Sequence, residues 1–188
     1  MLSTLNFADI KLRNIFFQHI GILCIGVLIF YIEHLEIASL FWEKLILLIV
    51  ALAKSFYFIE HSFRKIEEAS INNISYNKFL AIIMTNILLI VVSFGADFAC
   101  LLQIDPNSFK GMSDANFWET AFDSFYFSLV SFTTVAYGDI IPITKTAKIL
   151  TIIEVIVAYV TTIIIISNFV QIKDSMEQQT KEKEKEEV

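Results

Sequence analysis

Apolar residues fall in four long runs separated by short polar stretches, at about residues 12–32, 41–59, 79–102 and 145–170. Each is long enough, or nearly so, for the roughly 20 residues a helix needs to cross the hydrocarbon of a bilayer. A fifth apolar stretch, 116–131, is too short to cross and reads as a half-helix that enters and returns. The connection 33–40 is short, so the first two helices form an antiparallel pair. Residues 61–78 read as a polar linker, and 103–115 as a loop broken by Pro106 and Gly111. The pattern divides the chain into two N-terminal transmembrane helices (1–60), a linker (61–78), a unit of two crossings with the half-helix between them (79–170) and a charged tail (171–188). No internal repeat is visible.

Composition supports this reading. The chain is 56% hydrophobic, above the roughly 45–50% of ordinary soluble domains, with a mean hydropathy of +0.65. The formal charge of −6 says little about partners, because most ionised groups cluster in the loops and tail. Nothing suggests nucleic-acid binding. Cys24 and Cys100 lie in apolar runs and read as small buried hydrophobes rather than a disulfide or metal site. The opening residues 1–14 lack a small-residue cleavage site and do not read as a signal peptide. Lys11 and Arg13 precede the first crossing, and Arg64, Lys65 and Lys78 lie in the linker between the second and third. By the positive-inside rule that side is cytoplasmic, and an even number of crossings places both termini there. Alternating Lys and Glu in the tail predict a solvated, frayed helix or disorder, without the sustained apolar heptad of a coiled coil.

Between the half-helix and the fourth run lies Thr133-Thr134-Val135-Ala136-Tyr137-Gly138-Asp139. Non-helical backbone at membrane depth is tolerated only where protein buries it or where it lines a water-filled path. Backbone carbonyls in such a loop can replace the hydration shell of a cation. Together with Phe125-Tyr126-Phe127 before it and Pro142-Ile143-Thr144 after it, the stretch resembles the pore of tetrameric potassium channels. Ser167-Asn168-Phe169 is similar to the end of their inner helix. The resemblance covers the chain from Phe79 onward.

The resemblance implies an all-α membrane protein: four transmembrane helices plus a re-entrant pore helix and selectivity-filter loop, assembled as a homotetramer in the cell membrane. Thr134 would offer hydroxyl and carbonyl at the inner mouth, and Val135, Ala136 and Tyr137 their carbonyls, so that potassium ions sit at Thr134 to Tyr137. Gly138 would turn the chain outward. Thr133 and Asp139 would support the filter, as would Tyr126 and Phe127, which stand where the family often has tryptophans. The expected partners are further copies of the chain and membrane lipids, with any regulatory ligand unidentified. No cofactor is expected beyond the permeant ions. Two departures stand out. Ala136 replaces a glycine whose left-handed conformation costs a residue with a Cβ roughly 1–2 kcal/mol. Phe127 has no polar group to offer Tyr137.

Other residues leave alternatives open. Glu154, inside the fourth run, either faces the cavity, hydrogen-bonds behind the filter to a pore-helix Ser or Thr, or snorkels toward Lys148. Ala158 takes the place of the family's hinge glycine. Thr161 and Thr162 either line the cavity or pack. Ser113 or Asp114 caps the pore helix, with Asp123 early in it. Lys54 is expected to snorkel to the cytoplasmic interface and Asp97 to lie at the outer one. Only Arg13 and Arg64 occur, so no arginine-rich voltage sensor is present. The competing functions are a non-selective or sodium-permeable cation channel, motivated by Ala136, and a non-conducting scaffold. A b-type haem protein using two of His19, His34 and His61 is a further alternative. No enzyme motif is found.

Overall fold

The computed structural model describes residues 40–71, 76–113 and 116–186, with side chains for 40–64, 79–113 and 116–168. The expected first crossing and its flanks, with Lys11, Arg13, His19, Cys24 and His34, lie outside the described residues, as does Asp114. The element order is α1 (Leu40–Ile71), α2 (Tyr76–Ile104), β1 (Phe109–Lys110), α3 (Phe117–Phe132), β2 (Ile141–Pro142) and α4 (Lys145–Glu186). Among the described residues, three stretches are long and apolar enough to cross a membrane: Leu40–Arg64, Phe79–Ile104 and Lys145–Asn168. Their Ile, Leu, Val and Phe content supplies the lipid-compatible surface, and the helix satisfies the backbone internally. Hydroxyls follow the same logic: Ser55, Ser62 and Thr151 each donate to the carbonyl four residues earlier.

The linker expected over 61–78 is largely helical. α1 runs to Ile71 and α2 starts at Tyr76. Polarity there does not oppose helix, since Arg, Lys and Glu are good helix formers and Arg64 pairs with Glu60 one turn away. The backbone of α4 likewise stays helical through the charged tail to Glu186. No glycine or proline interrupts it.

α1 and α2 run antiparallel, and polar ties set their register. Lys44 donates to Asp105 at 2.6 Å, Lys54 to Asp97 at 2.6 Å, and Asn86 to the Ser62 hydroxyl at 2.7 Å. As residue number rises along α1, the partner number falls along α2. The middle tie corrects two expectations. Lys54 does not snorkel and Asp97 is not interfacial; they are only 6% and 1% exposed. Each lies at the depth of the other on a facing helix, so pairing satisfies both charges where neither reaches water.

α1 lies against α4 and α2, and α3 lies chiefly against α2. The core where they meet includes Leu47, Phe58, Phe94, Phe98, Leu101 and Leu150. α2 and α3 approach closely at Gly95, where a Cβ would stand 3.2 Å from the Phe125 Cα. At its 16 residues, α3 spans about 24 Å at 1.5 Å per residue, short of the roughly 30 Å hydrocarbon layer.

Candidate functional site: the pore loop

Asn116 starts α3. Its extended backbone (φ −154°, ψ 161°) lets the side chain accept the Glu119 N–H at 3.0 Å, the usual N-cap bond. Ser113, expected as a cap, has another role. Its N–H donates to Asp123 at 2.8 Å, its hydroxyl to Glu119 at 2.9 Å, and its carbonyl accepts from Thr120 at 3.0 Å. The loop is thus laced onto the first two turns of the helix.

At the other end the helix hands directly over to the loop. The N–H groups of Thr133, Thr134 and Val135 donate to the carbonyls of Leu129, Ser131 and Val130 at 3.0, 3.0 and 3.1 Å. The Thr133 hydroxyl also donates to Leu129, at 2.8 Å. These bonds fix the start of the loop to the negative end of the helix dipole. Beyond it, every second residue has positive φ: Thr134 +58°, Ala136 +46° and Gly138 +81°. Val135, Tyr137 and Asp139 do not. In an extended strand successive carbonyls point to opposite sides. Alternation of left- and right-handed residues turns them to the same side. For Thr134 and Ala136 this costs roughly 1–2 kcal/mol each. Backbone strain of this kind clusters where function requires it. All seven residues from Thr133 to Asp139 are exposed on the surface of the chain.

The exit of the loop is held from outside. β2 pairs antiparallel with β1, Phe109 opposite Pro142 and Lys110 opposite Ile141, and Ile143 N–H donates to Ser108 at 2.8 Å. Gly111, at φ +86°, lies against the Asp139 carbonyl so closely that a Cβ would stand 2.1 Å from that oxygen. The Asp139 carboxylate accepts the Tyr126 hydroxyl at 2.6 Å. This bond holds the carboxyl below its usual range and pushes the tyrosine up to about 12. Thr144 then caps α4, its hydroxyl accepting the Ala147 N–H at 3.3 Å.

The remaining expected residues separate. Phe127 makes edge-to-face contacts with Phe98 (4.9 Å) and Phe109 (5.4 Å), and no ring contact joins it to Tyr137 among the described residues. Tyr137 is 71% exposed. An apolar cavity of about 250 Å³ lies behind the loop, walled by Phe127, Val130, Ala136 and Tyr137 among others. Glu154 is fully buried and contacts the Ser128 hydroxyl of α3. Neither the cavity-facing nor the snorkelling alternative fits that position. Ala158 and Thr161 are buried inside the chain, whereas Thr162 is exposed. The exposed face of α4 instead carries Ile149, Ile152, Ile156, Tyr159, Ile163 and Ile166, at alternating spacings of three and four. The Glu154 contact is the one expected alternative in which this residue meets a pore-helix Ser or Thr, with Ser128 as the particular residue. Sequence reasoning passed over Tyr159, which the stripe spacing would have marked. His61 stacks on Tyr57 at 5.6 Å.

Three membrane-length apolar helices among the described residues define a helical protein of the membrane-spanning class. The family profile described as "Ion channel" matches residues 44–173, more than half of the sequence. The chain belongs to this ion channel family. It is 40% identical over 90 residues to two-pore potassium channel 4 of Arabidopsis thaliana, covering 47% of this chain and 29% of that protein. It is 33% identical over 96 residues to potassium channel K2 of Plasmodium falciparum (isolate 3D7), covering 51% of this chain and 6% of that protein. The chain therefore spans less than a third of the length of these relatives.

Proposed function

We propose that the chain is one subunit of a homotetrameric potassium channel of the cell membrane, with both termini in the cytoplasm. The observation that carries this reading is the alternating left-handed backbone at Thr134, Ala136 and Gly138, at the C-terminal end of a half-length helix. One chain supplies one strip of carbonyls, from Thr134, Val135, Ala136 and Tyr137. Four strips around an axis would surround an ion and replace its hydration shell. Thr133 ties the strip to the pore helix, while Asp139, Tyr126 and Gly138 set its outer end. Phe127 supports it indirectly, by packing the pore helix against Phe98 and Phe109. The exposed apolar stripe of α4 would face the axis and neighbouring copies. Conduction is passive, down the electrochemical gradient.

A second reading, a less selective cation channel, is favoured by one feature. Ala136 sits at φ +46°, where its Cβ is strained, in front of an apolar cavity. Both readings meet one experiment. The purified protein in liposomes loaded with potassium should let protons exchange against potassium efflux in the presence of a protonophore, and should not do so with sodium. Equal sodium flux would favour the second reading. No flux of either ion, from protein confirmed as an oligomer, would overturn both.

A further inference from the structure

Ser128 is fully buried at a point where three helices meet. Its hydroxyl oxygen lies 2.8 Å from the Val91 carbonyl of α2 and makes a second, short contact with Glu154 Oε1 of α4. A serine hydroxyl has one proton to give and a backbone carbonyl can only accept. If the proton went to Glu154, a lone pair of Ser128 would face the Val91 oxygen at hydrogen-bond distance. Both contacts are satisfied only when Ser128 donates to Val91 and Glu154 donates to Ser128. A second observation agrees. Among the described residues, Glu154 Oε2 is buried and has no hydrogen-bond partner, a costly place for half of a carboxylate charge and a mild one for the carbonyl oxygen of an acid. The neighbouring charges among the described residues do not supply a cation to Glu154. On α1, Lys54 is engaged by Asp97 of α2. On α3, Glu119 and Asp123 are held by Ser113 at the outer start of the helix.

We infer that Glu154 is a positioning residue that carries a proton and donates it to Ser128, strapping the inner helix to the pore helix and, through Ser128, to the Val91 carbonyl of the outer helix. Ser128 directly precedes Leu129, Val130 and Ser131, whose carbonyls hold the first three residues of the pore loop. A displacement of α4 relative to α3 must therefore break the strap or move the base of the filter. The functional consequence rests on the potassium-channel reading, whereas the proton assignment does not.

Infrared spectra of the full chain in lipid bilayers at neutral pH separate the two. The wild type should show the carbonyl stretch of a protonated carboxylic acid, absent in Glu154→Gln and shifted in Ser128→Ala. In the liposome flux assay Glu154→Gln, which keeps a donor of the same shape, should stay within about twofold of wild type. Glu154→Val and Ser128→Ala should fall roughly tenfold, as expected for one lost buried partner. Glu154→Gln also guards against variants that fail to assemble. Absence of the acid band, or its persistence in Glu154→Gln, would overturn the proton assignment. Undiminished flux in Glu154→Val would overturn the positioning role. An acid band in a wild type that passes no ion would support the proton assignment and count against the conduction reading.

Discussion

Replacing Lys54 by methionine tests how the peripheral helix is held to the pore unit. Lys54 and Asp97 are almost wholly buried and lie 2.6 Å apart, with the Phe94 ring 6.0 Å from the ammonium. Removing one partner of a buried pair leaves an uncompensated charge and costs about 3–5 kcal/mol. Lys54→Met and Asp97→Leu should each destabilise by that amount. The double variant replaces both charges by apolar side chains, and such replacements are often neutral or stabilising by about 1–4 kcal/mol. The coupling between the two sites should then be at least about 6 kcal/mol, two losses of about 3 recovered in the double variant. The assay is denaturant unfolding in detergent micelles, followed by the fluorescence of Trp42 and Trp118, for the four proteins of the cycle. A Lys54→Met protein within about 0.5 kcal/mol of wild type is what a solvent-screened pair would give. That result would refute the buried-pair reasoning.

Two further expectations concern the exit of the loop. Gly111→Ala places a Cβ 2.1 Å from the Asp139 oxygen, where ordinary contacts begin at 3.4 Å, and adds the roughly 1–2 kcal/mol of a left-handed non-glycine residue. The exit of the loop must shift, and the potassium-to-sodium permeability ratio should fall; an unchanged ratio would show that β1 and β2 do not set it. The Tyr126–Asp139 bond has a defined pH window. A lowered Asp139 contributes stability above its usual 3.8 that is lost as pH falls through its depressed value. A raised Tyr126 contributes stability below its usual 10.0 that is lost as pH rises through about 12. Selectivity should therefore be flat between pH 5 and pH 9, on the order of the interval these values enclose. Tyr126→Phe should lower it throughout, as measured by reversal potentials across that range.

The half-helix, the loop and the crossing segments among the described residues were legible because bilayer thickness and hydrophobic run length are linked by geometry. The loop was legible from its place between a half-length helix and a crossing segment and from its resemblance to the potassium-channel motif. Residue preference did not mark it, because Thr and Ala both resist the left-handed backbone that Thr134 and Ala136 adopt. Side-chain orientation was not. α4 is apolar nearly all round in its membrane span, so periodicity could not say that Glu154, Ala158 and Thr161 face the chain while Tyr159 and Ile163 face away. Lys54 and Asp97 lie 43 residues apart, and their pairing exists only once α1 and α2 are in register. The Asn116 cap was readable, with Glu119 three residues later in the pattern of a capping box, but nearby Ser113 and Asp114 competed for the same role. The helical extensions of α1 and α2 into the polar linker were not legible, because polarity alone does not distinguish helix from loop.

The central claim is that a strip of carbonyls from Thr134 to Tyr137 selects potassium even though Ala136 carries a strained Cβ. The direct measurement is the reversal potential of the protein in a planar bilayer with potassium on one side and sodium on the other, beside Ala136→Gly. A reversal far toward the potassium equilibrium potential in the wild type, little changed in Ala136→Gly, is the predicted result. Reversal near zero in the wild type would contradict the claim.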